Sequence, residues 1–250
     1  MVNEKLRDFF KDNKKVAIGF SGGVDSSYLL YAGKKCGAQI QPYFVKTQFQ
    51  PEFELEDAKN LAKFLDIDLK IIELNVLENE VITKNPEDRC YYCKSVIFSN
   101  LISEAKKDGF NLIVDGTNAS DDIDDRPGIK ALREMKVRSP LREAGLTKEE
   151  IRQFSKDANL FTWNKPSYAC LATRIQTGTE IKKEDLEKVE KAEEKLFDLG
   201  FTNFRIRIFY GAAKLQMDNL EIDKVIEDKD KILKEIKPYF NEVLLDLEGR

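Results

Sequence analysis

Residues 16–27 read VAIGFSGGVDSS, and the rest of the chain is organised around this stretch. A short apolar run ends at Ser21-Gly22-Gly23, and an amphipathic run begins at Val24. That order predicts a strand, a glycine-rich turn and a helix start. In this setting backbone N–H groups and the helix dipole hold phosphate. The two glycines let the backbone approach an anion without a Cβ in the way. Asp25, Ser26 and Ser27 add a carboxylate and two hydroxyls on the first helical turn. The loop lacks both the Gly-Lys-Ser/Thr ending of a Walker A motif and the G-x-G-x-x-G spacing of dinucleotide sites.

Working outward, the residues before the loop predict a leading amphipathic helix and a buried strand over Lys15–Phe20. A helix over Asp25–Lys35 and a second strand over Ile40–Thr47 follow. Apolar residues at helical spacing predict a helix over Glu52–Leu65, then a strand at Leu69–Leu74, a helix at Ser95–Lys107 and a strand at Leu112–Val114. Thr147-Lys-Glu-Glu150 has the form of a capping box opening a helix to Ala158. Strands alternating with helices imply an α/β fold, a parallel sheet covered on both faces, with ligands outside the carboxyl ends of the strands. The loop at Ser21 and the segment Asp115-Gly-Thr-Asn118 both fall at such ends. A break at Asn164–Ser167 divides the chain into an expected nucleotide domain, 1–165, and a smaller α/β domain, 166–250. The second reads helix (Lys182–Leu199), strands (Phe204–Tyr210 and Ala213–Met217), helix (Ile222–Ile236) and strand (Val243–Leu247).

With 250 residues, 42% hydrophobic and 34% charged, the chain can bury one large core or two modest ones. No apolar run approaches the ~20 residues of a membrane span, and the amino terminus has no signal-peptide core, so a cytoplasmic protein is expected. The net charge of −4 argues against nucleic acid as the main partner. There is no histidine, which removes the commonest general base and metal ligand.

Three further stretches carry chemistry. Arg89–Lys94 contains a C-x-x-C, Cys90 and Cys93, at an expected loop-to-helix junction. Pro166–Arg174, PSYACLATR, places Cys170 where the two domains meet. Residues 115–126 read DGTNASDDIDDR, an acidic loop whose carboxylates could carry Mg²⁺ bridging nucleotide phosphates, or simply be solvated. The C-x-x-C is open to a redox dithiol, a structural zinc site or an iron–sulfur cluster. Cys36, in an apolar neighbourhood, reads as a small core residue. The remaining three thiols, Cys90, Cys93 and Cys170, suit a cluster with one iron left open.

The SGGxDSS loop after a first strand resembles the pyrophosphate loop of PP-loop ATPases, which split ATP between the α and β phosphates and adenylate a substrate. Together with the C-x-x-C, DGTN before RPG (126–128), RSPLREAGLTKEEIR (138–152) and PSYACLATR, it is similar to the LarE family of PP-loop sulfur transferases, over roughly Val16–Met217. The resemblance implies that Ser21, Gly22, Gly23, Asp25, Ser26 and Ser27 hold the ATP pyrophosphate, with Asp25 also catalytic. Thr47, Gly116 and Thr117 would then lie on the adenine and α-phosphate side. It implies a small nucleotide-like carboxylate substrate, pyridinium-3,5-biscarboxylic acid mononucleotide, a sulfide donor, Mg²⁺ and a homo-oligomer. Family members use two sulfur strategies. In one, the cysteine at the position of Cys170 gives up its own sulfur. In the other, that cysteine and a C-x-x-C hold a 4Fe-4S cluster carrying a transferable sulfide. The pair Cys90/Cys93 favours the second, with Cys170 as the third ligand and a catalytic residue.

The family's Arg-x-Arg is present as Arg205-Ile-Arg207, a candidate clamp for a substrate phosphate. The sequel differs, and Gln216 stands where the family has glutamate. Rival readings are a tRNA-thiolating enzyme, a nitrogen-transferring ligase that needs no cysteine, and a non-catalytic nucleotide-binding module.

Overall fold

The computed structural model describes residues 2–121 and 126–250. The described chain falls into two compact units, Met1–Val76 with Asp88–Ser167, and Leu77–Glu87 with Tyr168–Arg250.

The first unit opens with α1 (Glu4–Asp12), capped by the Asn3 side chain, and β1 (Lys15–Gly19). Then come α2 (Val24–Lys35), β2 (Gln39–Lys46), α3 (Glu52–Phe64) and β3 (Lys70–Glu73). The short α4 (Glu80–Thr83) belongs to the second unit. The first resumes with α5 (Arg89–Lys107), β4 (Ile113–Val114), α6 (Pro127–Glu134), α7 (Pro140–Glu143) and α8 (Lys148–Asp157). Its strands form one sheet in the order β3-β2-β1-β4, every pair parallel. The capping box on α8 is complete: Thr147 accepts from the Glu150 N–H, and Glu150 accepts from the Thr147 N–H at 2.8 Å.

Alternation along β1 explains why helices cover both faces. Val16 and Ile18 point into a core with Leu6 and Phe10 of α1, Tyr28 and Leu29 of α2, Leu61 of α3 and Ile151 of α8. Ala17, between them, points to a second core with Tyr43, Val45, Phe98 and Leu101 of α5, and Leu132 of α6. At Gly19 a Cβ would stand 3.1 Å from the Phe98 ring, so the missing side chain lets α5 lie close to the carboxyl end of β1.

The second unit contains α9 (Lys183–Asp198), β5 (Phe204–Phe209), β6 (Ala212–Met217), α10 (Ile222–Glu227), α11 (Lys229–Ile236) and β7 (Val243–Leu245). Its sheet is mixed, with β5 antiparallel to β6 and β6 parallel to β7. The predicted helix over Ile222–Ile236 is two helices, parted at Asp228. Residues 77–87 join this unit through specific bonds. Asn85, fully buried at φ +54°, donates from its amide to Gln176 O at 2.9 Å and accepts from Gly178 N at 2.8 Å.

Candidate active site

At the carboxyl ends of β1, β2 and β4 the first unit holds a cleft of about 550 Å³. One part is apolar, formed by Phe20, Phe44, Val45, Ile97, Phe98 and Leu101. Another part is polar, carrying Ser21, Asp25, Ser26, Asp115, Thr117 and Asp121. A flat apolar wall beside a hydroxyl-lined loop at a helix start suits a base joined to phosphates.

The loop is built to stay tight. Gly22 lies at φ +69°, and a Cβ there would press within 3.1 Å of Glu54 O and 3.2 Å of Ala58 N on α3. Ser21 Oγ and Ser26 Oγ lie 3.1 Å apart, and the Ser21 N–H donates to Ser26 Oγ. Gly23 is the N-cap of α2 with no side-chain cap bond, which leaves the first-turn N–H groups for an anion. Gly116 abuts the same turn, because a Cβ would come 2.9 Å from Ser26 N. The DGTN segment and the loop therefore meet backbone to backbone.

The carboxylates of this cleft all have partners. Asp25 pairs with Lys148 Nζ at 2.5 Å and accepts from Asn118 Nδ2 at 3.3 Å. Asp115 accepts from Ser139 Oγ at 2.6 Å and from Thr117, while Asp121 accepts from Asn118 N at 2.9 Å. Asp122, Asp124 and Asp125 of the acidic loop lie outside the described residues.

Not every expected nucleotide residue meets the cleft. Ser27 is fully buried, and its hydroxyl has no hydrogen-bond partner among the described residues. Thr47 is buried too, its hydroxyl donating to Gln50 Oε1 at 2.6 Å inside its own turn, and Gln50 rather than Thr47 lines the cavity. Several polar residues were not singled out from sequence. Lys148, Ser139 and Arg142 fall in the quoted 138–152 segment, where Arg142 bonds Asn118 O and Asp121 O at 3.2 and 2.8 Å. Lys94 and Arg126, also in quoted motifs, line the cleft itself.

The C-x-x-C lies in the first turns of α5, at the loop-to-helix junction, and the helix starts at Arg89 rather than Ser95. Cys90 and Cys93 are thus on one turn. Cys90 is exposed and lines the cleft, with Arg89 Nη2 3.9 Å from its sulfur. Cys170 is in the second unit, immediately before a 3₁₀ turn over Leu171–Arg174. None of the four cysteines is in a disulfide. Among the described residues no three Cys, Asp or Glu side chains are gathered in a group able to hold a metal ion.

The Cys170 segment is anchored from below. Arg174 is buried, with Nε and Nη2 donating to both oxygens of buried Glu193 at 2.9 and 3.0 Å. Its Nη1 donates to Ala169 O at 2.7 Å and Thr173 Oγ1 at 2.9 Å, with Cys170 O at 3.4 Å. The expected arginine clamp divides into two jobs. Arg207 donates to Gln216 Oε1 and Thr173 O, both at 2.5 Å, so it braces the same segment. Arg205 Nε is buried without a hydrogen-bond partner among the described residues. Burial, with Arg250, Arg174 and Arg207 nearby, pushes its pKa down to about 10.

Cys36 packs half-buried against the first core, and burial raises its thiol above the ordinary value. A raised pKa leaves less thiolate near neutral pH, and thiolate is the nucleophile. In cluster-free protein iodoacetamide should therefore label Cys36 roughly tenfold more slowly than exposed Cys90, catching up as the pH rises. Equal rates by peptide mass spectrometry near neutral pH would contradict this placement.

A strand–SGG loop–helix at the carboxyl edge of a parallel sheet, abutted by the strand-end DGTN, is the arrangement of a PP-loop domain. The family model for queuosine biosynthesis protein QueC matches residues 15–86, from β1 through the segment after β3. Uncharacterized protein slr1717 of Synechocystis sp. is 36% identical over 98% of this chain and 93% of its own length. Uncharacterized protein MJ0830 of Methanocaldococcus jannaschii is 34% identical over 99% and 94%. The pyridinium-3,5-bisthiocarboxylic acid mononucleotide synthase of Lactiplantibacillus plantarum is 28% identical over 96% of this chain and 88% of its own. The chain belongs to the family of slr1717 and MJ0830, and it is a LarE-like homologue of the Lactiplantibacillus synthase.

Proposed function

We propose that this protein is an ATP-dependent sulfur transferase that adenylates a substrate carboxylate, releases pyrophosphate and converts the activated carboxylate to a thiocarboxylate. The observation that carries the reading is the shared cleft: Ser21, Asp25 and Ser26 of the phosphate loop line one cavity with Cys90. A nitrogen-transferring ligase or a plain nucleotide-binding module has no use for that thiol. The substrate class, pyridinium-3,5-biscarboxylic acid mononucleotide or a close relative, comes from similarity to the Lactiplantibacillus synthase.

The residues divide the work as follows. The apolar part of the cleft takes the adenine, while Gly22, Gly23 and the free N–H groups of α2 take the pyrophosphate. Ser21, Ser26 and Thr117 offer hydroxyls to the phosphates, and Ser27 and Thr47 support the loop and the β2 turn from behind. Asp25 and Asp121 offer hard oxygen for Mg²⁺, which takes one or two carboxylates and completes its shell with phosphate oxygens and water. Charge gathered on the departing pyrophosphate is stabilised by these fixed dipoles, so attack by the carboxylate on the α-phosphorus needs no histidine. The carboxylate oxygen bonds phosphorus, the α–β bridging bond breaks, and sulfur later displaces AMP from the acyl carbon.

Cys90, Cys93 and Cys170 match in kind the three soft ligands of a 4Fe-4S cluster. Bound there, such a cluster would supply a sulfide on its open iron. Arg205, whose Nε has no partner among the described residues, is the candidate for the acceptor's phosphate, and nearby Arg207 steadies the Cys170 segment through Thr173 O.

Anaerobic purification with iron and sulfide analysis, then intact mass after turnover, tests the sulfur source. The expected protein is brown, carries about four irons and keeps the mass of Cys170. A colourless protein that loses hydrogen sulfide from Cys170 once, in a single turnover, would replace the cluster by a sacrificial cysteine.

A further inference from the structure

The cleft holds two cations that nothing in the nucleotide scheme uses. Lys94 on α5 and Arg126 at the start of α6 both line it, and neither has a carboxylate or hydrogen-bonded partner for its side chain among the described residues. The contrast with the acidic residues is sharp: Asp25, Asp115 and Asp121 each have a donor. In a chain with 45 acidic and 41 basic side chains, two cations facing one cavity without a partner among the described residues leave a charge for a ligand to meet.

The backbone is shaped around them. Pro127 starts α6 at a position where a missing N–H costs nothing. Gly128 is buried, and a Cβ there would lie 3.1 Å from Lys94 Cδ and 3.2 Å from its Cε, so the lysine stem runs across the glycine. The two helices are pinned beyond the cleft by Tyr91 Oη donating to Glu134 at 2.6 Å and by Lys130 over the Tyr91 ring at 5.6 Å. The RPG triplet thus acquires a physical role: a cation, a helix start and room for a second cation.

We propose that Lys94 and Arg126 form an anion subsite, separate from the phosphate loop on β1 and α2, that binds the acceptor's second carboxylate, the one not being adenylated. The inference rests on the acceptor class of the proposed function. The planar guanidinium takes a carboxylate by two parallel hydrogen bonds, and the lysine adds a point charge beside it. An acceptor with two carboxylates is thereby selected over one with a single carboxylate.

Calorimetric titration of the full chain, saturated with α,β-methylene-ATP, tests this with three acceptors: pyridine-3,5-dicarboxylate, nicotinate and nicotinic acid mononucleotide. In Lys94→Gln and Arg126→Gln the dicarboxylate should bind about tenfold more weakly, with nicotinate and the ATP analogue unchanged. Lys94→Arg should restore most of the loss. Unchanged dicarboxylate affinity would overturn the subsite. Loss confined to the mononucleotide would assign the cations to a phosphate and overturn it as well, as would an equal loss of the ATP analogue. If the native chain binds the ATP analogue but none of the three acceptors, the acceptor class of the proposed function fails, and the subsite with it.

Discussion

Replacing Glu193 by alanine is expected to cost the second unit about 3–5 kcal/mol, because it strands a buried guanidinium. The Arg174 and Glu193 side chains are 0% and 2% exposed. Glu193 receives the Nε and Nη2 bonds of Arg174, the Ile206 N–H at 2.9 Å and the Tyr168 hydroxyl. Without it the charge on Arg174 has no counterion, and three N–H donors and the Tyr168 hydroxyl inside the unit lose their acceptor. The Tyr168 ring, 4.4 Å from the guanidinium, supplies only a fraction of the lost attraction. Urea unfolding followed by far-ultraviolet circular dichroism checks the expectation, with a loss below about 1 kcal/mol as the contrary result. Arg174→Met combined with Glu193→Leu should recover much of the stability, since a buried pair and a packed apolar pair are close in energy. That double variant would still lose function if the pair exists to hold Cys170, because the carbonyls of Ala169 and Cys170 lose their donor.

The first unit was largely legible because its signals are local. The strand, loop and helix around Ser21 follow from an apolar run, two glycines and a cap. The Thr147 capping box is a matter of four consecutive residues. The α5 start was misplaced by six residues, since Asp88 gives no side-chain cap bond and the aromatic pair Tyr91-Tyr92 interrupts the apolar period. The break at Asp228 was invisible for the opposite reason: the apolar spacing continues through it, while the backbone there turns out of the helix at φ −91°, ψ 12°. Residues 77–87 joined the second unit through Asn85, a tertiary bond no local pattern announces. In the site, the loop glycines could be read because only glycine fits there. Lys94, Arg126 and Lys148 could not, since 41 lysines and arginines look alike until a fold turns two toward a cleft and sets a third against Asp25. Arg207 resembled a ligand clamp in sequence, yet its donors go to Gln216 and Thr173.

The second large effect is expected from the thiols. In the proposed reaction activation uses the loop, the DGTN segment and Mg²⁺, none of which involves a cysteine. Sulfur delivery is assigned to Cys90, Cys93 and Cys170, of which Cys90 is exposed on the cleft wall and Cys170 is held by Arg174. Changing all three to alanine should therefore separate two halves of one reaction. The variant keeps its fold, because none of these side chains is fully buried or disulfide-bonded. The most direct measurement gives native and triple-alanine protein ATP, Mg²⁺, a sulfide source and pyridinium-3,5-biscarboxylic acid mononucleotide. Pyrophosphate and thiocarboxylate are then quantified side by side. The native protein should yield both, and the variant should release pyrophosphate while forming at least a hundredfold less thiocarboxylate, on the order of 3 kcal/mol in the barrier. Thiocarboxylate at the native rate from the variant, or none from the native protein despite pyrophosphate release, would contradict sulfur transfer through these thiols.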